Sequence, residues 1–306
     1  MAILSKAIYE DSISLPDYLT TEWERAQWIN AKELHEKKIA NTISAYLSKR
    51  EQQQNNPIFD FLFEYYQFPP SKLQKWSPGF GNLLHGYKEG DIHIKELANS
   101  DGYAWLDRYK FKTDKVNSLI WIKQLLESTA SHKPSMRCLG MHEWAMVYQS
   151  NAIRHSYLPL RFSKQKIDAI VDKHPLLCTH YDAFRFFTRS AKPQNAYSLS
   201  RQKFSQNEQP GCIHTNMDLY KWAFKYYPWI SSAIIRKAFL LALEARTVDM
   251  RASPYDLTKF GLSAIKVETA EGKKEYAARQ KEIYKKSQPI RQELISEYDY
   301  LITCLQ

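Results

Sequence analysis

Cys212-Ile-His-Thr-Asn-Met-Asp-Leu-Tyr-Lys-Trp-Ala-Phe-Lys-Tyr-Tyr227 stands between Pro210-Gly211 and Pro228. Pro-Gly marks a turn, and a proline cannot continue a helix because it lacks the N–H and crowds the preceding turn. The stretch between them reads as a helix. Ser231-Ser232 then supplies the hydroxyl cap of a second helix, Ala233 to Asp249, which Ser253-Pro254 ends. Two long helices in succession set the class: mainly α, a single large helical domain across residues 1–306 with a minor β element.

The same reading extends outward. Upstream, Thr21-Glu-Trp-Glu24 fits a capping box with Thr21 as N-cap, before apolar residues of roughly helical period that reach Leu47. Arg50 to Asn56 is a polar linker, and Pro57 opens a helical segment over Ile58 to Tyr66. Asp91 to Leu97 alternates like a short strand. Helices follow over Val116 to Leu126, Met136 to Tyr148, and Phe162-Ser163 to Asp172, and Pro193 to Pro210 reads as a long polar loop. Downstream, Ile265 to Thr269 reads as a strand, and Glu271 to Ser287 and Ile290 to Leu301 as two helices.

The 306 residues are 44% hydrophobic and 25% charged, values of a globular chain rather than a disordered one. Glycine is scarce, at 9, which argues against Gly-rich phosphate loops and turn-rich all-β folds. The four cysteines lack C-x-x-C spacing. The opening Met-Ala-Ile-Leu-Ser-Lys is too short and polar for a secretory h-region, and no apolar run approaches the ~20 residues of a membrane span. These features set the expectation of a cytoplasmic protein with reduced thiols and no membrane partner. The formal net charge is +10, and Ala130 to Ile230 alone holds 14 Lys and Arg against 6 Asp and Glu. Such a surface suits an anionic partner.

Five of the nine histidines lie between Arg137 and Asp256, wedged with acids among Trp, Phe, Tyr and Met. Buried charge is costly unless paired, so polar groups among aromatics point to a ligand or active site. His142, Glu143, His180, Asp182, His214 and Asp218 are the candidate catalytic residues, expected to line one pocket. His214 and Asp218 are four apart and share a helix face. His142-Glu143 resembles the start of His-Glu-x-x-His, but Met146 replaces the second ligand, which rejects that zinc motif. Glu143 is expected to pair with Arg154 or Arg185, and Asp182 with Arg185. Cys138 and Cys212 each stand near a histidine in sequence, and both read as structural.

The strings Gly140-Met-His-Glu-Trp-Ala-Met-Val-Tyr148, Thr179-His-Tyr-Asp-Ala-Phe-Arg-Phe-Phe187, His214-Thr-Asn-Met-Asp-Leu-Tyr-Lys-Trp222 and Asp249-Met-Arg-Ala-Ser-Pro-Tyr-Asp256 carry a resemblance. With Trp76-Ser-Pro-Gly79 and Leu158-Pro-Leu-Arg161, the chain resembles a bacterial family labelled 3-methyladenine DNA glycosylase. The resemblance implies base excision: DNA as partner, an alkylated and therefore cationic purine flipped onto aromatic faces, and a carboxylate directing water at C1′. Asp218 or Asp182 would hold the water. Trp144, Tyr148, Tyr181 and Trp222 would hold the base, and Arg161, Arg185, Lys221, Lys225 and Arg251 the strand. Arg154, Lys164, Lys166 and Arg189 add positive charge. No cofactor is expected on this reading. The chain lacks the Gly-rich hairpin and following aspartate of helix-hairpin-helix glycosylases.

Two other readings fit the residues. One is a helical metalloenzyme, with Fe, Mn or Zn held by His142, His180, His214 and Asp218, acting on a nucleoside or another small anionic substrate. The other is a nucleic-acid-binding protein without catalysis, its aromatics serving only as core.

Overall fold

The computed structural model describes residues 15–151, 153 and 155–306. The opening hexapeptide and Arg154 lie outside the described residues. Helices dominate, as expected, with strand confined to one small sheet. Among the described residues no helix is long and apolar enough to cross a membrane.

Strand β1 (Thr21–Trp23) leads into α1 (Arg25–Glu51). The capping box lies three residues after the expected one: Glu24 is the N-cap and exchanges bonds with Gln27, while Thr21 joins the sheet. A π-helical turn, Phe61–Tyr65, and the single turn α2 (Pro70–Leu73) follow. Strands β2 (Asn82–His85), β3 (Leu97–Ser100) and β4 (Tyr103–Leu106) complete the sheet in the order β1-β2-β4-β3. β1 pairs parallel to β2, with Glu22 opposite Leu83; the other pairs are antiparallel. Asp101 and Gly102, at φ 45° and 83°, form the two-residue turn between β3 and β4. This left-handed pair matches the twist of a hairpin. The strand therefore begins where Asp91 to Leu97 was expected to end.

α3 (Val116–Ser131) is longer than its apolar run. α4 (Met141–Ala145) is a short piece of the helix expected over Met136 to Tyr148. Leu139 and Gly140 take positive φ and start it late. α5 (Lys164–Asp172) is capped by Ser163, and α6 (Tyr181–Phe184) is one turn after His180. α7 (Phe204–Asn207) interrupts the long polar loop.

The two helices that set the fold class are α8 (Ile213–Lys225) and α9 (Ser232–Arg251), with the Ser231 hydroxyl accepting from the Ile234 N–H. α10 (Ala270–Leu305) runs unbroken through Pro289, where two helices were expected, and Ile265 to Thr269 forms no strand. α8 packs on α9 and α10, and α10 also covers α3. Proline removes one backbone bond from α10, but apolar residues on both sides of it, from Tyr276 and Ile283 to Leu294 and Tyr298, are buried in the common core. That packing holds the rod together.

Candidate functional site

Among the α8 residues, only Lys221 and Lys225 escape burial. Burying both faces of a helix puts its polar residues inside, where each must find a partner. Asn216 donates to the Pro210 carbonyl and accepts from Arg291 Nη2 at 2.8 Å. His214 and Asp218 face a small chamber of about 20 Å3, roughly the space of one water molecule. Phe61, Tyr65, Glu143, His180, Asp182 and Arg246 also wall it.

His142 sits one layer behind, its ring 4.5 Å from that of His214, which in turn stacks on His180 at 5.3 Å. Five of the six residues expected to line one pocket, Glu143, His180, Asp182, His214 and Asp218, thus border the chamber, contributed by α4, α8 and the residues at the start of α6, while His142 stands behind it. Two further residues tie them together and were not singled out as catalytic from the sequence. Asp249, from the last turn of α9, lies 2.6 Å from His142 Nε2 and 3.8 Å from His214 Nε2. Arg246, one turn earlier, donates to Asp249 at 2.6 Å and to Glu143 at 2.7 Å, with Phe61 packed 4.4 Å from its guanidinium. Glu143 therefore pairs with Arg246 and not with Arg185.

The electrostatics follow from these pairings. Burial pushes the His214 imidazole well down, and the neighbouring His142, His180 and Arg246 help keep it neutral, outweighing Asp249. Burial also opposes charge on His142, but Asp249 and Cys138 outweigh it and hold that group well above its usual value. His180 is likewise raised against burial, by Glu208, whose carboxylate lies 2.8 Å from Nδ1. A neutral imidazole thus stands between two that favour the proton. Burial alone would raise the Asp182 carboxyl, yet Lys221, 2.9 Å away, brings it below the usual range. Asp218 accepts from Tyr66 Oη at 2.7 Å and from Lys221 at 3.3 Å. The Asp182–Arg185 pair expected from spacing is present but looser, at 3.7 Å.

Donor geometry also tests the metal reading. Ligand atoms of His142, His214 and Asp249 lie within 4.8 Å of one another, and so do those of His180, Asp182 and Asp218. The expected set His142, His180, His214 and Asp218 is therefore divided between two groups. In each, a protein cation already serves the carboxylates: Arg246 on Asp249, and Lys221 on Asp182 and Asp218. A divalent ion would sit beside a guanidinium or an ammonium and be repelled by it. In each group an ion would therefore share its carboxylates with Arg246 or Lys221.

Outside the chamber runs an open groove of about 670 Å3, walled by Tyr65, Tyr66, Trp121, Tyr181 and Trp222 and by Arg185, Arg201, Lys221 and Lys225. Tyr65 and Asp182 line both spaces. Of the expected binding residues, Tyr181, Arg185, Lys221, Lys225 and Trp222 are at this groove. Trp222 carries Lys221 Nζ 4.4 Å from its ring centroid, which leaves it a poor seat for a cationic base.

The other expected binding residues are elsewhere. Trp144 is buried and donates to the Ala252 carbonyl. Tyr148 donates to Asp172 at 2.6 Å. Arg161 pairs with Glu268, and Arg251 binds Ser263 and Glu275. Lys164 donates to Asn151, and Lys166 lies 4.2 Å over Phe162. These side chains satisfy core and loop packing, a role that their spacing in sequence does not distinguish from substrate binding. Arg201 was not anticipated, because it lies in the polar loop, where sequence offers no periodicity. Searches of family models, curated proteins and solved structures find no match for this chain.

Proposed function

We propose that this protein hydrolyses the N-glycosidic bond of a nucleotide unit on a nucleic-acid strand, with an alkylated purine in DNA as the favoured leaving base. The observation that carries this reading is the shared wall: Asp182 and Tyr65 border both a water-sized chamber and a wide groove of aromatic and cationic side chains. A strand in the groove would set its phosphates against Arg185, Arg201 and Lys225 and an extruded base against Tyr65 and Tyr181. The sugar C1′ would then face Asp182 and Asp218, whose negative charge stabilises an oxocarbenium-like centre. Water in the chamber would meet the neutral His214, which can accept its proton. An alkylated purine already carries the positive charge that makes it leave, so the site needs no strong acid on the far side of the base.

Two measurements on the full chain test this. Incubation with methylated DNA is expected to release free alkylated base, seen by chromatography, without added metal. Binding of an oligonucleotide is expected to weaken roughly 20- to 40-fold between 50 and 200 mM salt if three phosphates are neutralised. The double change Arg201→Ala with Lys225→Ala should flatten that dependence. Salt-indifferent binding together with no base release overturns the proposal. Hydrolysis that starts only when a divalent metal is added would move the cavity to the metalloenzyme reading.

A further inference from the structure

Among the described residues, five large hydrophobic side chains stand open to solvent, and Trp121 is the one that borders the groove. Its place follows from α3. Leu119, Ile122, Leu126 and Thr129 recur at helical spacing and are buried, which turns Ser118 and Trp121, three apart, to another side. Both of these line the groove. Apolar surface left in water is unfavourable, yet Trp121 is 45% exposed. Its ring is nonetheless braced. It lies nearly parallel to Phe204, with centroids 6.2 Å apart and planes at 21°, and meets Trp222 edge-on at 5.8 Å. The Ser128 hydroxyl donates to the Ser205 carbonyl at 3.0 Å, which holds α7, the carrier of Phe204, against α3. A fixed, half-open aromatic ring in a cationic groove is the device by which single strands are held through their bases.

The orientation of this ring relative to Tyr181 narrows the substrate. Tyr181 packs on the same Phe204, with centroids 6.4 Å apart, but with its plane at 90°. Trp121 and Tyr181 are therefore steeply inclined to each other. In a helical stack neighbouring bases are parallel and about 3.4 Å apart. A strand that seats one base on Tyr181 and another on Trp121 has both turned out of any common stack, and neither is paired. We propose that Trp121 is the seat of a second base beside the excised one, so that the protein takes its substrate from a single strand rather than by flipping one base out of a duplex. This inference rests on the nucleic-acid reading of the groove. The charges around the ring suit it. Lys225 Nζ is 5.8 Å from the centroid of Trp222, against which Trp121 packs, and Arg201 lines the same groove, so the phosphate between two seated nucleotides has cations near it. Trp222 is itself buried and already carries Lys221 over its ring, which leaves the second seat to Trp121.

The test measures binding by the full chain to three fluorescein-labelled probes of equal length: oligothymidylate, its duplex with oligoadenylate, and a strand with the same phosphates and no bases. A duplex presents two phosphates where a strand presents one, so charge alone would favour the duplex. The single strand is nonetheless expected to bind about tenfold or more tighter than either of the other probes. Trp121→Ala should weaken the oligothymidylate complex roughly 5- to 150-fold, the range for one stacked base, and leave the base-free strand within about twofold. Trp121→Phe keeps a stacking face and should recover most of that loss. The base-free strand reports whether each variant still folds its groove. Duplex binding as tight as single-strand binding overturns the proposal. So does an alanine variant that binds oligothymidylate like the natural sequence, or that loses as much affinity for the base-free strand. If salt-dependent binding persists in those cases, the hydrolase reading stands and only the second seat is lost; no binding of any probe removes both. Self-association that Trp121→Ala abolishes, with strand binding unchanged, would assign the ring to a second copy of this chain and overturn the proposal as well.

Discussion

Replacing Arg246 by Met is expected to destabilise the fold by about 3–5 kcal/mol, the usual consequence of leaving buried charge uncompensated. Arg246 is 2% exposed and serves two carboxylates that are equally hidden, Asp249 at 0% and Glu143 at 3%. Met keeps much of the apolar stem and its packing on Phe61, so the loss isolates the charge. The melting temperature should fall by roughly 6–15 °C. The effect has a pH signature. The Asp249 carboxyl lies below its ordinary range because, against the opposing effect of burial, His142 and Arg246 hold its charge. A carboxylate with a depressed folded value contributes stability above its unfolded value and loses that contribution as pH falls through the folded one. The gap between Arg246→Met and the natural protein should therefore be widest near neutrality and narrow below pH ~4. Calorimetry at pH 7 and pH 3 checks this. A loss under about 1 kcal/mol at pH 7 would show that the network is no more than a surface-like ion pair.

Asp218→Asn is expected to lower base release by about 100-fold or more, the range in which a positioned acid–base or charge-stabilising group acts. Asparagine can still accept from Tyr66 Oη through its carbonyl, so the buried bond at 2.7 Å survives. The charge facing the sugar is what disappears, and Lys221 keeps only Asp182 at 2.9 Å. Oligonucleotide affinity should remain within about threefold, because Arg185, Arg201 and Lys225, the cations set against the phosphates, are not bonded to Asp218. Asp182→Asn is expected to cost less, since Asp182 is the more exposed of the two and borders the groove. Full activity in Asp218→Asn, or a fall in melting temperature as large as that of Arg246→Met, would make Asp218 a packing residue.

The helices of the centre were legible because their ends are written in local chemistry. Pro228 stops α8 and the Ser231 hydroxyl starts α9, within a residue or two of where the sequence places them. The meeting of Glu143, His180, Asp182, His214 and Asp218 at the chamber was legible for a different reason: their apolar neighbours left them nowhere else to go. What joins them was not. Arg246 stands in an amphipathic-looking helix where an arginine normally faces water, and the approach of Glu143 from α4 and of Pro57 and Phe61 makes it internal. Asp249 and Glu208 acquire their partners across 107 and 28 residues of chain, to His142 and His180. Spacing rules see three or four residues along a helix. They find His214 with Asp218 and miss the carboxylate that faces His214 more closely in function, Asp249. The same limit explains Pro289, where local chemistry predicts a break and long-range packing removes it.

The all-round burial of α8 has a consequence for how this chain can vary. An ordinary surface helix tolerates change in a rhythm, permissive on its wet side every three to four positions. In a saturation scan, Ile213 to Lys225 should show no such rhythm. Intolerance should run almost continuously, through Lys221 with its two carboxylates, and be interrupted at Lys225, the exposed residue that α8 presents to the groove. Lineages descending from this sequence would then diversify at the groove through that position while the rest of the helix stayed fixed, so that the history of the protein's specificity would be recorded at Lys225.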